Sequence, residues 1–332
     1  MKAVKFSRSL TLLPVCALFL WLAVRNVPFD DLFKTLEGAS YSLLFPALIL
    51  LTANVLLLAL RWKIILGAAR FRYFFWALGT GYLFNNIFPF RLGDLTRVLV
   101  MSHCSRLPLV QVTSAAVAER LADAGMILLA LSAVIPFMNI PPAAARAGLL
   151  FGSAVLAVPA SLLIIQRLRK LLDPDGFLAR RLNECVMGLT APARPKTALI
   201  IFLLSLAAWA SSICMYWCVI LCFHPGATVV EAAFMVVALS FALAVPSTPG
   251  FIGVFQLIGQ QALLIPFGDR YSAGTAFCIA MVAHLTCYLY TTLLGTVGLW
   301  RLSTSFPGLG KAIFAAGAGR APKQNTQEGR PS

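Results

Sequence analysis

Charge is scarce in this chain. Only 12% of its 332 residues are Asp, Glu, Lys or Arg, against 60% hydrophobic. A soluble domain carries roughly 25% charged residues, so a water-soluble fold is excluded. Acids are scarcer still, 12 against 27 basic residues, and there are three histidines. No G-x-x-x-x-G-K-[ST] phosphate loop is present, so nothing points to a nucleotide as energy source. The eight cysteines are scattered, mostly inside apolar stretches, and no clustered His or acid accompanies Cys214, Cys218 and Cys222. Cys214, Cys218 and Cys222 share a helix face, but without such partners they read as small hydrophobes, and no metal or cofactor is expected. Long polar stretches are missing too: the longest, 166–196, is too short to form an independent catalytic core.

What is present is apolar and helical in length. Six stretches, 9–24, 41–60, 113–136, 147–165, 197–222 and 273–300, come near the length a helix needs to cross a hydrocarbon core about 30 Å thick. Two more, 73–90 and 229–267, are broken by Asn, Pro and Gly. The net charge of +15 would suggest nucleic acid in a soluble protein. Here membrane orientation accounts for it, because cytoplasmic loops collect Lys and Arg. Basic clusters lie at 1–8, 61–72, 166–196 and after Arg301, whereas the links 25–40 and 223–230 carry few, which puts those two outside. The first apolar run has no small-x-small cleavage site and reads as an uncleaved anchor. The expected location is a bacterial inner membrane, with both termini cytoplasmic.

If all the basic clusters are cytoplasmic, the chain must cross an even number of times between them. Three apolar stretches separate residues 72 and 166, so one of them should not cross. The stretch ending in Asn85-Asn86-Ile87-Phe88-Pro89 suits lipid least, since it offers two amides and a proline that lacks a backbone donor. Residues 73–97 are therefore predicted to form a re-entrant hairpin open to the cytoplasm. By the same parity 229–267, interrupted by Pro246-Ser247-Thr248-Pro249-Gly250, forms a second hairpin open to the outside, although three full crossings would also satisfy it. Pro89 and Gly93 in the first match Pro249 and Gly253 in the second. The predicted fold is an all-α integral membrane protein of six spanning helices and two oppositely oriented hairpins, arranged as an inverted repeat of the kind seen in transporters. The alternative is eight or so plain spanning helices. Residues 1–302 form the membrane domain and 303–332 a basic, disordered cytoplasmic tail.

Several polar residues sit where lipid would not tolerate them. Asp94 and Arg97 are three apart, as helix neighbours are. Glu119 and Asp123 share a face of the stretch 113–136, with Arg120 in reach of Asp123. A charge near the bilayer centre costs about 2.5–3.5 kcal/mol on an insertion scale, so these should face protein or water. Arg61-Trp62 reads either as an interfacial anchor or as a contact to an anionic headgroup. His284 and Tyr288 are one turn apart in 273–300, and Gln256 follows Gly253 on the hairpin return. For these a structural hydrogen bond competes with a role in binding.

At these residues the chain resembles the lysylphosphatidylglycerol synthase transmembrane family, whose members are also called flippase-like. The marks are Arg61-Trp62; Asn85-Asn86 with Pro89, Arg91-Leu92-Gly93-Asp94 and Arg97; Glu119-Arg120 with Asp123; and Pro246 to Gly250 followed by Gly253. The resemblance implies a domain that moves a lipid between leaflets, here without the soluble aminoacyltransferase domain of larger members. Two positions depart from the family: an acid often stands where Gln256 is, and a Glu where Asp94 is.

The expected function is translocation or transport of a lipid or lipid-linked intermediate. The headgroup would be held by Arg61, Asn85, Asn86, Arg91, Asp94, Arg97, Glu119, Arg120, Asp123, Gln256, His284 and Tyr288, with Pro89, Gly93, Pro246, Pro249, Gly250 and Gly253 shaping the hairpins. The expected partner is a membrane lipid rather than nucleic acid, and a homo-oligomer or a lipid-biosynthetic enzyme partner stays open. The competing readings are an intramembrane enzyme with Glu119 and Asp123 as acid and base, and an accessory subunit in phospholipid, hopanoid or polyprenyl-linked biosynthesis. The absence of a nucleophile constellation weighs against the enzyme.

Overall fold

The computed structural model describes residues 13–25, 27–67, 69–137, 195–244 and 248–306. The predicted helix 147–165, most of the basic cluster 166–196, Pro246, and the tail beyond 306 lie outside the described residues. Within them every regular element is helical and there is no strand. The order is α1 (Leu13–Val24), α2 (Phe29–Glu37), α3 (Leu44–Leu66), α4 (Phe71–Ile87), α5 (Leu92–Ser105), α6 (Leu109–Val134), α7 (Pro195–Phe223), α8 (Val229–Ala244), α9 (Val254–Phe267) and α10 (Ala273–Ser305).

Five of the described helical runs are long and apolar enough to cross a membrane: Tyr41–Leu66, Leu109–Phe137, Pro195–Phe223, Pro249–Phe267 and Ala273–Ser305. Four coincide with predicted spanning stretches. The fifth is the return limb of the second predicted hairpin, which reaches this length by joining a 3-10 turn, Pro249–Phe251, to α9. The link 25–40, expected as a plain connection, contains the short helix α2.

Large apolar side chains stay uncovered, including Leu285, Leu289, Leu293 and Val297 of α10, spaced four apart. In water such a stripe would be an aggregation site, whereas in a bilayer it is the lipid-facing side. Lipid supplies no hydrophobic drive between helices, so small residues that allow close backbone approach carry the packing. Gly295 of α10 meets Gly79 of α4 so closely that a Cβ there would lie 2.3 Å from the Gly79 carbonyl oxygen, and one at Gly298 would lie 2.9 Å from that of Trp76.

The 33-residue α10, about 50 Å long at 1.5 Å per residue, is the mast on which both hairpins sit. Its C-terminal half carries α4: Gly298 lies at Trp76, Gly295 at Gly79 and Leu83, and Thr291 and Thr292 at Asn86. Its N-terminal half carries the second hairpin: Ala280 lies at Gly259, and His284 at Gln256 and Gly250. The α4–α5 pair thus runs in from one end of α10 and the α8–α9 pair from the other, and their tips meet at its middle. The limbs α4, α5 and α8 have 17, 14 and 16 residues, about 21–26 Å each and below the 30 Å or so of a hydrocarbon core, whereas the fourth, counted with its 3-10 turn, is the run Pro249–Phe267 that is long enough to cross.

Each hairpin is flanked by long helices, α3 and α6 for the first, α7 and α10 for the second. The helices α3 and α7 run antiparallel: Leu50 pairs with Ser211, Asn54 with Ala208, and Arg61 with Ser205.

The turn of the first hairpin is strained. Phe90 and Arg91 both take left-handed backbone angles, φ 61 and 55, in a region that costs a non-glycine residue of order 1–3 kcal/mol. Asn85 offsets this by accepting the Gly93 N–H at 2.8 Å. Gly93 itself admits no side chain, since a Cβ would fall 1.8 Å from the Gly81 carbonyl oxygen.

Candidate functional site

An ionic network lies where α3, α5, α6 and α7 converge beside the first hairpin. Arg61 of α3 is fully buried and bonds Asp123 at 2.7 Å, Glu119 at 3.3 Å and Ser205 at 3.0 Å. Arg97 of α5 takes the other oxygen of Glu119 at 2.9 Å, with its guanidinium 5.1 Å from the Trp62 ring centre. Asp94 gathers Arg120 at 2.8 Å, Arg91 at 3.1 Å and Arg97 at 3.5 Å, and Arg120 reaches Asp123 at 3.8 Å.

Helix geometry brings these groups together. Glu119 and Asp123 are one turn apart on α6 and face α3, while Arg120 on the adjoining face turns to the hairpin. Removing one member of a buried ion pair typically costs 3–5 kcal/mol, so the network also ties the first hairpin to the long helices. The interfacial reading of Arg61-Trp62 does not hold. Both side chains are 0% exposed, and Arg61 anchors two carboxylates instead of meeting solvent.

Two adjoining cavities open from the network. The smaller, about 100 Å³, is lined by Tyr82, Asn85, Arg97 and Glu119 among others. The larger, about 450 Å³, runs between α3, α6, α7 and α8 along Leu58, Ile127, Leu128, Trp209 and Val236. Arg91, Arg120 and Asp123 border both. The larger cavity is thus mostly apolar, with Arg91, Arg120 and Asp123 on part of its border. Counting 1.5 Å per residue from helix ends, the network begins about 8 Å from the end of α3 at Arg61 and about 12 Å from that of α5 at Arg97. It climbs to mid-helix at Asp123 and to the hairpin tip at Arg91.

Of the predicted residues, Arg61, Asn85, Arg91, Asp94, Arg97, Glu119, Arg120 and Asp123 come together here. Asn86 does not: its amide donates to Thr291 and Thr292 at 3.0 and 2.9 Å and fastens the hairpin tip to α10. Gln256, His284 and Tyr288 form a separate group under the second tip. His284 Nε2 donates to the Gly250 carbonyl at 2.8 Å, which leaves Nδ1 to accept from Gln256 at 2.8 Å, a tautomer assigned from its partners. Gln256 also accepts the Gly253 N–H at 2.8 Å and caps α9. Tyr288 lies edge-on to His284, and a Cβ at Gly250 would fall 2.6 Å from its ring. Pro89 lies in the first turn and Pro249 opens the second.

Sequence reasoning passed over Asn54, Ser205, Trp209 and Ser240. Asn54 had a signal: it is an amide inside an apolar stretch, seven residues before Arg61 and so on the same helix face. It donates to the Ala208 carbonyl at 2.7 Å and borders the chamber. Ser205 and Ser240 had none, being two of many small residues in their helices. Glu231 was missed as well. It is fully buried at the far end, where it pairs with Arg270 and accepts the Thr228 N–H at 2.6 Å.

Among the described residues no group of three or more His, Cys, Asp or Glu could hold a metal ion. No curated protein matches the chain in sequence. Residues 7–295 match the family described as lysylphosphatidylglycerol synthase TM region, and this multi-pass membrane protein, with its ionic network and largely apolar chamber, belongs to that family.

Proposed function

We propose that the protein moves a lipid or lipid-linked intermediate across the bilayer, passing its headgroup along the ionic network while the hydrocarbon lies in the apolar chamber. The observation that carries this reading is the juxtaposition of Arg91 and Arg120 with the apolar wall of Ile127, Leu128, Trp209 and Val236 around one cavity. In this reading the two hairpins dip into the membrane from opposite faces as an inverted repeat, as in transporters built from broken helices. The end of the molecule bearing Lys63, Arg70, Arg72, Arg106 and Arg301 faces the cytoplasm by the positive-inside rule.

The enzyme alternative is less well supported. Glu119 is buried between Arg61 and Arg97, so of the two carboxylates only Asp123 borders the chamber, and one carboxylate does not make an acid–base pair.

The test is reconstitution in liposomes carrying fluorescent phospholipids, with leaflet exchange read by an external quencher. The wild-type protein should accelerate exchange without nucleotide, and Ser212→Phe, which narrows the chamber, should slow it. Exchange no faster than in empty liposomes for every lipid tried would sink the reading.

A further inference from the structure

A serine hydroxyl inside a helix commonly donates one turn back, to the carbonyl four residues before it. Ser205 of α7 does so to Ile201 at 2.8 Å, and Ser240 of α8 to Val236 at 2.7 Å. Ser212, one turn past Ala208 on α7, is an exception. The Ala208 carbonyl already accepts the helical N–H of Ser212, and its second lone pair takes the Asn54 amide of α3 at 2.7 Å. Among the described residues the Ser212 hydroxyl is therefore left without a partner. Because the Asn54 nitrogen is engaged by Ala208, its side-chain oxygen is the end left to accept. Asn54, Ala208 and Ser212 all line the larger cavity. A free donor and a free acceptor, both within a turn of Ala208, thus border the same apolar space.

Their position along the chamber sets what they can meet. On α3 Asn54 precedes Arg61, and on α7 Ser212 follows Ser205, by the same two turns of helix, while Arg61 itself bonds Ser205. Since α3 and α7 run antiparallel, both stand on the same side of that contact, about 10 Å from it at 1.5 Å per residue. There the cavity wall includes Trp209, Ile127 and Leu128, the stretch assigned above to hydrocarbon. Polar groups left unpaired in apolar surroundings are unfavourable, so this pair favours a ligand that brings a matching group. We propose that Asn54 and Ser212 form an uncharged subsite for a hydroxyl carried on the hydrocarbon chain of the bound amphiphile. Ser212 donates to the hydroxyl oxygen, and the hydroxyl donates to Asn54 Oδ1. The subsite selects by the chain and makes no demand on the charge of the headgroup. It rests on reading the chamber as the seat of a lipid's hydrocarbon, but not on the lipid being moved. Bound water offers the same hydrogen-bonding chemistry, and the test separates the two.

The test measures binding, to the full chain in detergent, of two fluorescent lipids that share a phosphatidylcholine headgroup. One carries β-hydroxymyristoyl chains and the other plain myristoyl chains. The hydroxylated lipid should bind about threefold to tenfold more tightly, as expected for one neutral hydrogen bond. Ser212→Ala should bring the two to equal affinity, and Ser212→Thr, which keeps a hydroxyl, should preserve the difference. Asn54→Leu should remove it as well; should that variant fail to fold, the two serine variants decide alone. Equal binding of the two lipids, or a preference that survives Ser212→Ala, would overturn the proposal. Equal binding that Ser212→Ala weakens for both lipids would give the position to water and overturn it too. Equal binding that Ser212→Phe weakens would remove the subsite and leave the chamber reading standing; binding of neither lipid would remove both.

Discussion

The carbonyl oxygen of Asn86 lies 3.2 Å from where a Cβ on Gly250 would stand, so the tips of the two hairpins touch. Asn86 is held to α10 through Thr291 and Thr292, and Gly250 through His284 four residues further on from Tyr288 toward the N-terminus of that helix. Each tip is therefore fixed to the same mast, and a movement of one against the other has to pass through this contact.

If the hairpins enter from opposite faces, single cysteines in a cysteine-free background should label from opposite sides. Arg72→Cys and His103→Cys, at the base of the first hairpin, should react with an impermeant maleimide only in inside-out vesicles. Pro225→Cys and Asp269→Cys, at the base of the second, should react only in right-side-out ones. Labelling of all four from one side would refute the arrangement.

The Arg61 guanidinium is bonded to both Glu119 and Asp123 with no exposure to solvent. Arg61→Met leaves two carboxylates short of a partner and should destabilise the fold by about 3–5 kcal/mol, read as a large fall in the detergent melting temperature. Adding Glu119→Gln should recover part of that loss, because it removes one of the orphaned charges. A double variant no more stable than the single one would argue against direct coupling.

Gly93→Ala places a methyl group against the Gly81 carbonyl, where a Cβ has 1.8 Å. Overpacking of this kind costs about 1–3 kcal/mol when neighbours can shift, and here the neighbour is backbone. We expect α4 and α5 to separate, with faster hydrogen exchange across 81–97. Exchange unchanged from wild type would mean that the hairpin limbs are not closely packed.

His284→Leu removes the donor to Gly250 and the acceptor for Gln256. The expected outcome is faster hydrogen exchange in 249–257 while preference among lipid headgroups stays as in wild type, since His284 borders neither cavity. A change in headgroup preference would give His284 a part in binding.

Much of the ionic site was readable before folding, for one reason: charges inside apolar stretches are expensive, so Glu119, Arg120 and Asp123 stand out in any hydropathy reading. The same logic marked Asn85, Asn86 and the Pro-Gly segments as breaks. It could not separate Asn86, which secures a tip, from Asn85, which caps the turn beside the network, because adjacent residues on a helix point about 100° apart and only the neighbours decide what each meets. Nor could it tell that Gln256, His284 and Tyr288 form a group of their own. Their likeness to site residues was chemical, and their distance from the network is a matter of packing.

By itself the sequence determined that this protein lives in a membrane, is built of helices, and must shelter a small set of charges and broken segments from lipid. Those conclusions follow from transfer energies and helix length, which are local properties of the chain. Only the tertiary structure decided which charges pair, and that Arg91, Arg120 and Asp123 border an apolar chamber. Pairing across α3, α5, α6 and α7 joins residues as far apart in sequence as Arg61 and Ser205, and no local rule sets which faces of those helices meet.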